Sequence, residues 1–105
     1  MVDDNTLQQI TERLVKGFDP EKIFLFGSQA RGTAEDRSDV DLLVVGRFVG
    51  DRYAVMDAMD RSIGELRVAC DIVPVTAEEF ELSRHIPGSL ARAVSRDGKL
   101  IYARS

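Results

Sequence analysis

The chain has a single cysteine, Cys70, so it forms no internal disulfide, and no Cys/His spacing in it suits a zinc ion. No apolar run approaches the roughly 18 residues that a membrane helix needs. Nothing at the start reads as a signal peptide, so the expected location is the cytoplasm, with no membrane partner. Basic residues are outnumbered, 14 against 18 acidic, for a net charge of −4. A nucleic-acid footprint is basic, so direct DNA binding is not expected, nor is a polymerase acting on long DNA. Repeats, linkers and low-complexity tracts are absent. At 105 residues the chain reads as one domain, 1–105, with one modest core.

The informative stretch is 22–45. An apolar run, Ile23 to Phe26, stops at Gly27-Ser28, and a second, Leu42 to Val45, follows Asp39-Val40-Asp41. Such runs read as buried strands. Side chains alternate along a strand, so Asp39 and Asp41 point the same way, their Cα atoms roughly 6.5–7 Å apart. Carboxylates so close repel unless a cation or proton lies between them. Mg²⁺ suits that role, since it typically takes one or two carboxylates plus substrate phosphates. The alternative is an N-cap or a solvated strand end. A calcium loop is excluded, because the glycine at its sixth position and its closing glutamate are missing.

Ser28 to Arg31 fits a short helix, whose start would offer free N–H groups to phosphate oxygens. Gly27 would let backbone and ligand approach closely. A Walker A loop is excluded, since Thr33 stands where lysine should follow Gly32. The Arg31 guanidinium matches phosphate geometry; the alternative is a surface ion pair with Glu35 or Asp36. Residues 33–38 read as a polar loop.

The rest reads as alternating elements. A helix is expected over 6–18, capped by Asn5 or Thr6, with Leu7, Ile10, Leu14, Val15 and Phe18 on one face and Gly17 with Pro20 marking its end. A second is expected over Gly50 to Leu66, with Met56, Met59, Ile63 and Leu66 inward and Asp57, Asp60 and Glu65 solvated. Val68 to Val75 reads as a strand with one acid, Asp71, in its middle, where an unpaired carboxylate costs several kcal/mol. The metal pair would be its partner, or else an internal salt bridge. Cys70 faces the other way as a small core residue, and Pro74 points to a strand end or sheet edge. Thr76 and Glu79 have capping-box spacing. A last helix, Ser89 to Arg96, and a strand, Leu100 to Tyr102, complete an α/β (α+β) domain: a small mixed sheet of about four strands with packed helices. His85 lies in a loop-like stretch, where a histidine base would fit chemically, but the aspartates already supply a base.

Gly27-Ser28, ten residues, then Asp39-Val40-Asp41 resembles the signature of the DNA polymerase β-like nucleotidyltransferase superfamily. The fuller strings, Phe26 to Gly32 and Ser38 to Val44, resemble its smallest branch, the minimal nucleotidyltransferases (MNT). Pro87-Gly88-Ser89-Leu90 and Asp97-Gly98-Lys99-Leu100-Ile101-Tyr102 extend the likeness over about 22–104. The resemblance implies the polymerase β-like nucleotidyltransferase fold, with the Gly-Ser turn and three carboxylates at one sheet edge. It implies Asp39, Asp41 and Asp71 as catalytic residues and ligands of two Mg²⁺ ions, Gly27 and Ser28 as phosphate binders, and ATP as substrate. It also implies a helical HEPN toxin as partner, to whose tyrosine AMP would pass, the chain acting as antitoxin. Two alternatives stay open: a non-catalytic module that neutralises its partner by contact, and a transferase for an aminoglycoside-type small molecule, for which a homodimer cleft could supply the acceptor pocket.

Overall fold

The computed structural model describes residues 2–32 and 39–105. Helix α1 spans Asp4–Phe18. Asp3 caps it, accepting from the Thr6 N–H at 2.6 Å, so neither Asn5 nor Thr6 is the cap. Gly17 does not end it either. The chain leaves the helix at Asp19 in the left-handed region, φ +46°, where its N–H closes on the Val15 carbonyl. Strand β1 (Lys22–Phe26) runs directly into the short helix α2 (Gly27–Arg31). Strand β2 is Val40–Gly46, and helix α3 is Arg52–Ile63, tightening into a 3₁₀ turn at Gly64–Leu66. Strand β3 (Cys70–Thr76), helices α4 (Ala77–Ser83) and α5 (Leu90–Asp97), and strand β4 (Lys99–Ala103) complete the order. The expected loop 33–38, with Glu35 and Asp36, lies outside the described residues.

The sheet is mixed, in the order β3-β2-β1-β4. β1 pairs antiparallel with β2 and β4, while β2 and β3 are parallel. A parallel pair needs a crossover, and α3 provides it. β2 is central and buried on both faces, which is why its apolar run does not alternate. Among the described residues β3 pairs with β2 alone, so Pro74 lies on an edge strand that can spare its missing N–H.

Alternation along the strands divides the core in two. Ile23, Leu25, Val40, Leu42, Val44 and Ile72 pack on one face against Ile10 and Leu14 of α1 and Met59 and Ile63 of α3. Phe24, Leu43 and Val45 pack on the other face against Phe80 of α4 and Ala91 and Val94 of α5. Phe24 and Phe80 stack with ring centroids 5.4 Å apart.

Local chemistry sets the helix starts on the second face. Thr76 and Glu79 form the expected capping box, each side chain accepting from the other's backbone N–H. Ser89 is the cap of α5, not its first residue. It accepts from the Arg92 N–H and donates its hydroxyl to the Ser83 carbonyl, tying α5 to the end of α4. Gly98 then turns the chain into β4 where an added Cβ would crowd the Val94 and Leu25 carbonyl oxygens.

Two substitutions separate core from cap. Leu42→Ala opens a cavity under a fully buried position and should cost about 2–5 kcal/mol in a denaturant titration. Thr76→Ala removes only a cap and should cost about 1 kcal/mol.

Candidate active site

Register builds the site. Asp41 of β2 stands beside Phe26 of β1 on one side and Asp71 of β3 on the other. Residues in register on adjacent strands face the same way, about 4.8 Å apart. Asp41 and Asp71 therefore share the face that carries α4 and α5. Asp39 lies two residues before Asp41, immediately ahead of β2, close enough for its charge to act on Asp41. The three carboxylates lie near one another at the end of the sheet where β1 hands over to α2.

Asp71 differs from expectation. β3 starts at Cys70, so Asp71 is its second residue, and it is exposed. The cost of an isolated buried charge therefore does not apply to it. What ties Asp71 to the cluster is its register with Asp41.

Gly27 explains why a glycine ends β1. Its φ of +72° favours glycine, and a Cβ there would collide with Asp41 Oδ2. The Asp41 carboxylate thus lies against the start of α2. Ser28 is the second residue of this helix and is half-buried. The first N–H groups of any helix have no partner within it. Arg31, in the last turn, is exposed, yet close enough for its charge to act on Asp41.

The electrostatics record this crowding. Burial raises the Asp41 carboxyl above its ordinary range, Asp71 and then Asp39 raise it further, and Arg31 opposes them. Asp60 on α3 is raised as well, by partial burial, then by Asp57 and Asp71. Cys70 packs against the α1/α3 core, and its thiol is pushed up to about 11 by burial and then by Asp60, Asp39 and Asp41. Negative charge thus spreads over this whole end of the sheet.

The donor set fits Mg²⁺: hard carboxylate oxygens under mutual repulsion that a cation would relieve. As they stand, no three His, Cys, Asp or Glu side chains among the described residues are drawn tightly enough to hold a metal ion.

A cleft of about 140 Å³ opens beside the cluster, between α2 and α5. Phe26, Gly27 and Arg31 line one side of it, and Leu90, Ala93 and Asp97 the other. Sequence reasoning missed the α5 contribution, because Leu90, Ala93 and Asp97 share a stripe only once α5 is docked. It also missed Asp60, read as a solvated helix charge, and Gln29. Gln29 is buried in α2 and accepts the Val2 N–H at 3.0 Å, which a glutamine in a short polar stretch does not advertise. His85 sits exposed in the turn between α4 and α5.

A mixed sheet with carboxylates at the ends of two adjacent strands, beside a Gly-Ser helix start, is an arrangement that suits nucleotidyl transfer. Comparison with known proteins agrees: the chain belongs to the Polymerase beta nucleotidyltransferase family, whose model matches residues 8–105, and is a nucleotidyltransferase. A protein of Methanocaldococcus jannaschii, named as a candidate protein adenylyltransferase, is 36% identical over 106 residues, 96% of this chain and 69% of the relative. A candidate nucleotidyltransferase of Sulfolobus solfataricus superposes with a TM-score of 0.66 at 25% identity, over 95% of this chain and 79% of the other. A chain of a toxin–antitoxin complex with AMP-PNP gives 0.62 at 20%, covering 99% and 76%. One from the tri-AMPylated Shewanella oneidensis HEPN toxin in complex with MNT antitoxin gives 0.55 at 17%, covering 95% and 71%. At those last two identities the likeness is one of fold.

A raised carboxyl favours the folded state while protonated, and that contribution is lost as pH rises through its folded-state value. At neutral pH the charged Asp41 is thus a net cost to the fold. Asp41→Asn should raise the thermal midpoint of the metal-free protein at pH 7, with the gain shrinking as pH falls toward 4. Differential scanning calorimetry across that range checks it; a lower midpoint at pH 7 would contradict the crowding.

Proposed function

We propose that this protein transfers AMP from ATP, with Mg²⁺, to a tyrosine hydroxyl of a cognate HEPN toxin and thereby acts as its antitoxin. The observation that carries the reading is the register that sets Asp41 beside Asp71, with Asp39 two residues away and Gly27 against Asp41. Further support comes from the relative named for protein adenylylation and from the fold shared with a chain of an AMPylated HEPN toxin complex.

In this reading Asp39 and Asp41 hold two Mg²⁺ ions, and Asp71 completes the site of the first. The bound ions supply neutralisation of the charge on the attacking and leaving oxygens. Gly27 and Ser28 bind the β- and γ-phosphates through the start of α2, and Arg31 lies near enough to add a guanidinium contact. The tyrosine oxygen forms a bond to the α-phosphorus, the bond from that phosphorus to the bridging oxygen breaks, and pyrophosphate leaves. Asp71, exposed at the strand mouth, is the group that can take the hydroxyl proton. Most of the rate gain then comes from positioning and charge neutralisation.

The test is intact-mass spectrometry of a HEPN toxin encoded beside this gene, incubated with ATP and Mg²⁺. Wild type should add whole adenylyl units to the toxin, and Asp39→Asn/Asp41→Asn should add none while still binding it. A double variant that protects cells from the toxin as well as wild type does would sink the enzymatic reading and leave neutralisation by contact.

A further inference from the structure

We propose that the outer ridge of α5, with the turn that precedes it, is where the protein acceptor docks, and that it receives an acidic, amphipathic segment of that partner. The inference rests on the reading of this chain as a protein-modifying transferase, and adds to it a surface and a partner chemistry.

Three observations meet on this surface. The first is its shape and position. Leu90, Ala93 and Asp97 line the cleft that opens onto Gly27 and Arg31. A second hollow, of about 240 Å³, shares Ala93 and Asp97 and is walled by Arg92 and Arg96. The ridge therefore lies between two hollows, one continuous with the candidate phosphate-binding turn. A partner held here is next to the reacting groups.

The second is apolar exposure. Leu82, Ile86 and Leu90 are 67%, 54% and 42% exposed at the end of α4, in the turn and at the start of α5. They follow one another at intervals of four residues, and α4 and α5 are tied together at Ser83 and Ser89. Of the three, Leu90 lines the cleft itself, and exposed large apolar side chains next to a cleft mark an interaction surface.

The third is charge. In a chain of net charge −4, Arg92 and Arg96 stand one helical turn apart on one helix and, like Arg31, Arg47 and Arg67 elsewhere, enter no ion pair among the described residues, whereas Arg13, Arg52, Arg61, Arg84 and Arg104 are each paired. Two unpaired guanidinium groups on the side of the ridge away from the cleft, near exposed apolar side chains, select a partner with carboxylates beside its apolar anchors. Nucleic acid fits poorly, because two guanidinium groups in a chain of net charge −4 make no basic stripe along which a long phosphate chain could lie.

The test measures affinity of the full-length protein for the HEPN toxin encoded beside the gene, at two salt concentrations, together with ATP binding, AMP transfer and self-association by sedimentation. Arg92→Glu/Arg96→Glu should weaken binding about tenfold or more and flatten its salt dependence, while Arg92→Lys/Arg96→Lys should stay within about threefold. Leu82→Asp/Ile86→Asp should weaken it about tenfold or more. All three should keep their far-ultraviolet spectra and their ATP affinity. Variants that bind and modify the toxin as wild type does would overturn this docking surface and leave the adenylyltransferase reading standing. Loss of self-association alone would assign the surface to a second copy and overturn the partner. A wild type that binds the toxin but transfers nothing would overturn the adenylyl-transfer reading, with docking still read from the variants. A wild type that neither binds nor modifies it would overturn both.

Discussion

Strand β2 is bonded to a neighbour on each side, antiparallel to β1 and parallel to β3, and both its faces are covered. Those two ladders constrain everything else. A slip of one residue on either side would turn Leu42 and Val44 out of the α1/α3 core and Leu43 and Val45 out of the α4/α5 core. The register that keeps both cores filled also stands Asp41 between Phe26 and Asp71. The site is thus held by the packing of the whole domain and needs no dedicated scaffold of its own.

That placement works against stability locally. Asp41 is pressed against Gly27 at the mouth of the sheet, with Asp71 and Asp39 adding like charge and Arg31 opposing it. Buried apolar strands below supply the stability that lets the cluster persist. In the proposed reading a cation, and through it the phosphates of a nucleotide, would relieve the same crowding. Like charges that cost the fold something are what the proposed chemistry requires.

The two faces of the sheet have separate tasks. α1 and α3 close one side with ordinary apolar packing. On the other side α4 and α5 pack a smaller core, leave Leu82, Ile86 and Leu90 in solvent, and border the cleft beside Gly27. The unpaired arginines of α5 lie on this second side, as do the catalytic candidates. Site and exposed surface thus belong to one face, which suits an enzyme whose acceptor is another macromolecule.

Local chemistry alone determined much of this protein. Runs of apolar residues bounded by Gly, Ser and Asp marked β1 and β2, the Thr76/Glu79 spacing marked the start of α4, and Gly27-Ser28 with Asp39 and Asp41 pointed to nucleotidyl transfer. These signals are legible because propensity, capping and alternation act over a few residues. Tertiary structure decided the rest. It paired Asp71 with Asp41 through the β2–β3 register, and it made Asp71 exposed where an acid in an apolar stretch had suggested burial. It moved the cap of α1 to Asp3, buried Gln29, drew Asp60 into the field of the cluster, and turned Leu90, Ala93 and Asp97 toward the cleft. Each of these depends on contacts between segments far apart in the chain, and a pattern read over a few neighbouring residues carries no information about which distant strand or helix will lie beside them.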